Sequence, residues 1–137
     1  MTVYVLGFAF WNNQVCLIRK NRPKWQENHF NGVGGHVEVS DESSRAAMAR
    51  EFFEETGVKT LASEWLYTGK MVGDDWTVHL YAGNINIDNA TTMTDEEVLV
   101  VDLNQLMDYV LIPNVHTLIS WSLARLDGAD GLMKLYY

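Results

Sequence analysis

Cysteine is nearly absent from this sequence. Cys16 is the only one, so the chain can form neither an internal disulfide nor a thiolate metal cluster. That usage is compatible with a reducing cytoplasm. Positive charge is scarce too: ten Lys and Arg stand against eighteen Asp and Glu, a formal net charge of -8. Such a surface lacks the basic stripe that grips a long nucleic acid by its phosphates. It still admits a nucleotide when a divalent cation sits between carboxylates and phosphates. No run approaches the roughly 18 uninterrupted apolar residues needed to cross a bilayer. Met1 to Phe10 is apolar but lacks a basic start and a small-residue cleavage site, so it reads as a first strand and not a signal peptide. The absences point to a cytoplasmic protein with no membrane partner.

What is present fits one globular domain over residues 1–137, with 47% apolar and 20% charged residues. Val3–Phe10 and Gln14–Arg19 are strand-like runs joined by a Trp11-Asn12-Asn13 hairpin. Residues 21–31 are polar, hold Pro23, and read as a loop. Residues 32–38 contain Gly34-Gly35, a pair suited to tight turns and close approach to a ligand. Ser40, Asp41 and Ser43 offer helix caps, and a helix should run from about Ser44 to Thr56 and stop at Gly57. Strands are expected at residues 60–70 and 77–85, around a turn at Gly73-Asp74-Asp75, and a short one at Val98–Asp102. A second helix over Asn114–Leu126 would carry Pro113 at its first turn.

On the first helix Glu51, Glu54 and Glu55 fall within an arc of about 100°. Ala46, Met48, Ala49, Phe52 and Phe53 occupy the other side, ready to pack on a sheet. Carboxylates at i, i+3 and i+4 repel one another, and they lie near the helix C-terminus, where the dipole disfavours negative charge. A solvated acidic face is the plain structural account of such a cluster. A divalent cation resolves the conflict better, since hard oxygen ligands suit magnesium. Arg50, one turn before Glu54, could orient that carboxylate through a charge-assisted hydrogen bond.

Gly35 to Val58 resembles the Nudix box, G-x5-E-x7-R-E-U-x-E-E-x-G-U with U apolar. Arg50 to Val58 match every fixed position of its second half, and Glu42 stands eight residues before Arg50. Six residues separate Gly35 from Glu42, so Val39-Ser40-Asp41 reads as a one-residue insertion before that glutamate. The resemblance implies an α/β fold, a mixed β-sheet between helices in an α/β/α sandwich. It also implies magnesium, with manganese as a substitute, held by Glu51, Glu54, Glu55 and the Gly35 carbonyl. One of these carboxylates could also activate water. A further acidic residue is commonly drawn from outside the box: Glu97 matches that position, with Glu96 as rival and Asp74-Asp75 as a second choice.

Phe30-Asn31-Gly32-Val33-Gly34-Gly35 resembles the approach segment of MutT-type enzymes, which implies purine contact by Asn31. Asn114 resembles a second base-contacting position in that group, although Ile112 stands where some relatives place a stacking tryptophan. Trp25, Phe30 and Trp76 are the alternative stackers, or simply core. Lys24, Arg22 and His36 could meet phosphates. The expected activity is hydrolysis of a (deoxy)nucleoside triphosphate, with 8-oxo-dGTP a candidate by resemblance. Hydrolysis of ADP-ribose or nucleotide sugars is the runner-up. A silent nucleotide-binding module and an acidic docking helix are the non-enzymatic alternatives. The partner is then a small nucleotide and no long nucleic acid, and relatives often pair as homodimers.

Overall fold

The computed structural model describes residues 1–137. Its frame is an eight-stranded mixed sheet with one helix on each face. Strand β1 (Thr2–Trp11) and β2 (Gln14–Arg19) form the expected hairpin, and Asn12 and Asn13 take the positive φ that such a tight connection needs. Then come β3 (Phe30–Asn31), β4 (Val33–His36), α1 (Ser44–Thr56), β5 (Leu66–Val72) and β6 (Trp76–Asn84). Strand β7 (Glu97–Asp102), helix α2 (Val115–Leu126) and β8 (Met133–Tyr136) complete the order. β1 pairs in parallel with β6, and β5 with β8, while the other pairings are antiparallel.

Because β1 is covered on both faces, it reads as one nearly continuous apolar run. Val5 and Ala9 point into the core with Met48 and Phe52 of α1. Leu6, Phe8 and Phe10 point the other way, into the core with Leu118 and Ile119 of α2. Helix α1 has the bounds that its end signals predict. Ser43 accepts from the Ala46 amide at 3.0 Å, and Gly57 closes the helix in the left-handed conformation at φ 76°.

Three expectations are corrected and one strand is added. Residues 33–36 are a strand paired with β1, so the Gly34-Gly35 pair serves close packing, not a turn. Strand β5 starts at Leu66, because residues 62–64 form a short 3-10 turn that delivers Trp65 into the core. Helix α2 starts at Val115, leaving Pro113 outside it and Asn114 at φ 77° before it. The last strand, β8, was not expected.

Candidate active site

The period of α1 sets its glutamates apart from its buried Ala47, Met48 and Phe52. Glu51 lies at the margin, 9% exposed, with its carboxylate over Gly35. A Cβ at position 35 would come within 2.4 Å of that carboxyl carbon, so only glycine leaves room for it. Burial pushes the Glu51 carboxyl up to about 7, although Arg50 pulls the other way. Glu55 accepts from the Thr94 hydroxyl at 3.0 Å, and its carboxyl is also raised, first by burial and less by Glu96. Glu54 is exposed and takes both contacts, at 3.2 and 3.3 Å, from Arg50.

Arg50 ties these pieces together. Its Nη1 also reaches Glu51 at 3.0 Å, and its Nη2 donates to the His36 carbonyl at 2.9 Å. Its strongest partner is Asp41, which takes Nε and Nη2 at 2.8 Å each in a bidentate fork. Asp41 also accepts from the Glu38 amide at 2.8 Å, so it braces the loop as well as the arginine. Glu42 is exposed and makes no such contact. The extra residue therefore follows the bracing acid and does not precede it. Asp41 does not cap α1 either, since Ser43 does. The spacing already held the signal: Asp41 is the sixth residue after Gly35.

The other expected residues divide. Glu97 pairs with Arg19 at 3.2 Å, and its strand partner is Arg19. Glu96 is the buried one: it accepts from Lys20 Nζ at 3.1 Å and the Asn21 amide at 2.7 Å, and its charge is felt at Glu55. The structure thus sets Glu96 near Glu55 of α1, while Glu97 pairs with Arg19. His36 packs its ring on Tyr4, centroids 4.5 Å apart, as its cross-strand partner, and alternation along β4 turns it away from the face that Gly35 presents to Glu51. Asn31 Oδ1 is occupied by the Gly32 amide at 2.8 Å. Lys24 is exposed on a 3-10 turn without an ion pair, and Asp74-Asp75 are exposed between β5 and β6. Phe30 packs edge-on against Tyr109.

A transverse row of paired residues starts one position after Gly35. His36 pairs with Tyr4, Tyr4 with Val78, and Val78 with Met71. Cross-strand partners share a face, and this is the α2 face, where Val78 and Met71 flank the second core. The three strand steps span about 14 Å. The far end is closed by Asn114, whose side-chain nitrogen donates to the Tyr137 hydroxyl.

Oxygen donors from Glu51, Glu54 and Glu55, with the Gly35 backbone against Glu51, suit a hard divalent cation. Glycine at 35 keeps a space at Glu51 that any side chain would fill, which favours that fit. The three carboxylates point to separate partners here, Gly35 with Arg50, Arg50, and Thr94, so gathering on one ion needs side-chain rotation.

The family model for the NUDIX domain matches residues 2–121. The chain belongs to the Nudix family. It is a Nudix hydrolase, an enzyme of the pyrophosphohydrolase class, with the helical half of the box intact. Solved structures agree on the fold. A NUDIX hydrolase from Nitrosomonas europaea superposes at TM-score 0.79 and 15% identity, over 99% of this chain and 78% of that one. The NUDIX domain of Shewanella oneidensis NrtR, solved with ADP ribose, gives 0.78 and 15%, over 90% and 87%. A MutT protein from Bacillus halodurans gives 0.71 and 15%, over 100% and 90%. No curated protein matches the chain in sequence. No helix in this Nudix protein is long and apolar enough to cross a membrane.

Proposed function

We propose that the protein hydrolyses a (deoxy)nucleoside triphosphate to the monophosphate and pyrophosphate, with magnesium held by Glu51, Glu54 and Glu55. The observation that carries this reading is the Glu51 carboxylate set over Gly35, beside an arginine locked by Asp41. Magnesium, when bound, would polarise a phosphoryl oxygen and offset charge as the bond breaks. The chain itself supplies position. Arg50 orients Glu51 and Glu54, Asp41 fixes Arg50, and Lys20 stands beside Glu96 at the edge of the same cluster. Water adds its oxygen to one phosphorus, the bridging P–O bond breaks, and a carboxylate takes the proton. Glu96 has a stronger claim than Glu97 to be the outside acidic residue, because its neighbours include Glu55.

The proposed nucleotide has its phosphates at the α1 carboxylates and its base past the β4 edge on the α2 face, along the transverse row towards Asn114. Asn31 is proposed as a second base contact, and Lys24 as a phosphate contact. An oxidised purine such as 8-oxo-dGTP stays within the proposal. A second reading is cleavage of a linked diphosphate, favoured by the fold neighbour solved with ADP ribose. A screen of nucleoside triphosphates, 8-oxo-dGTP, ADP-ribose and nucleotide sugars, with magnesium or EDTA, tests both. Magnesium-dependent pyrophosphate from one triphosphate is the expected result. Cleavage of linked diphosphates alone would replace the substrate class.

A further inference from the structure

Asn114 occupies a strained place. It adopts φ 77°, a conformation that asparagine tolerates better than most residues, and its side chain does not cap the helix that follows. Instead its amide nitrogen donates to the hydroxyl of Tyr137. That hydroxyl in turn donates to the Met71 sulfur at 3.8 Å. The chain of donors therefore has a direction. With its proton on sulfur, the tyrosine oxygen is left as acceptor, and it is the nitrogen end of the asparagine amide that must face it.

Tyr137 is itself held from two sides. Its amide donates to the Val72 carbonyl at 2.9 Å, and its ring lies 5.6 Å from that of Trp76. The row Tyr4–Val78–Met71 forms the floor beside it, each residue only half-buried where α2 begins. In the proposed placing, a planar base on that floor would meet the Asn114 amide, which the Tyr137 hydroxyl links to Met71. The tether uses one of the two amide hydrogens, so it fixes which side of the free edge carries the acceptor Oδ1 and which carries the remaining N–H.

We infer that Tyr137 is a positioning residue for specificity: it fixes the Asn114 carboxamide with Oδ1 outward, so that the site selects nucleobases presenting an exocyclic amino group. An untethered asparagine amide can turn over and serve either a donor or an acceptor on the base. In the tethered one Oδ1 cannot trade places with the nitrogen, so a base amino group set against Oδ1 gains a hydrogen bond and a keto oxygen set there meets a repelling lone pair. The inference rests on the proposed placing of the base at Asn114.

The test compares ligand pairs that differ in one exocyclic amino group (AMP and IMP differ also in the hydrogen on N1), and a purely structural defect would weaken both members alike. Binding of AMP against IMP, and of dGMP against dIMP, is measured by calorimetry in magnesium for the wild type, Tyr137→Phe and Asn114→Ala. Tyr137→Phe keeps the ring on Trp76 and removes only the hydroxyl. The wild type should prefer the amino-bearing member of at least one pair. Tyr137→Phe should lower that preference about five-fold, the scale of one hydrogen bond, and Asn114→Ala should abolish it. Loss of preference in Asn114→Ala with wild-type preference in Tyr137→Phe would overturn the role of Tyr137 alone. Unchanged preference in both variants would remove the base from Asn114, and the inference with it. A wild type indifferent to the amino group, or blind to all four nucleotides, overturns it as well.

Discussion

Arg50 faces two kinds of carboxylate, and they should respond differently to removal. Asp41 is a brace, with its side chain 6% exposed and its carboxyl held below the usual range by Arg50. A depressed folded-state pKa stabilises above the unfolded value near 4, and the gain is lost as pH falls through the folded value. Asp41→Asn should therefore cost about 2 kcal/mol in urea melts at pH 7. That deficit should shrink as the pH is taken below about 4. Glu42→Gln should stay within about 0.5 kcal/mol of wild type at either pH. Equal effects from the two variants would restore Glu42 as the bracing acid. Glu54 is the opposite case, exposed and free of any packing role. Glu54→Gln should greatly reduce turnover and leave the melting temperature where it was. A large fall in melting temperature would mark Glu54 as structural.

At the scale of elements, legibility followed how local the signals are. Helix α1 was readable to the residue because Ser43 and Gly57 announce its ends through their own backbone demands. Strand β4 was not, since two glycines in four residues look like a turn. What makes them a strand is the close approach of β1: a Cβ at Gly34 would fall 2.1 Å from the Val5 carbonyl oxygen. Strand β8 is four residues long, too short for alternation to register, and only pairing with β5 reveals it. The same tertiary dependence hid the contact of Tyr137 with Asn114 and the burial of Glu96 beside an exposed Glu97. The carboxylate helix was legible in sequence, but the ground it stands against was not. Gly35→Ala joins the two levels. Its methyl group must displace Glu51, so magnesium affinity, read by calorimetry, should fall by at least ten-fold while the circular dichroism of the fold persists. Retained affinity would show that Glu51 does not hold the ion.

For the whole molecule, with a net charge of -8, the proposed magnesium site should stabilise the fold as well as serve the chemistry. An ion that binds only the folded state at 100 times its dissociation constant adds about 2.7 kcal/mol. Thermal melts should rise with magnesium and return with EDTA. Sodium chloride at matched ionic strength should give a smaller rise, because it screens the charge without bridging carboxylates. Identical melts in magnesium and sodium would argue that no specific cation site exists.

The parallel pairing of β1 with β6 also sets a timetable. Residues 2–10 pair early with β2 and β4 but find their parallel partner only at 76–84, and β2 finds β7 only at 97–102. Closing such distant contacts costs chain entropy before it yields any packing. During synthesis β1 and β2 therefore leave the ribosome long before β6 and β7, which complete their edges. A nascent chain stalled before residue 76 would display the open edge of β1, a natural template for aggregation.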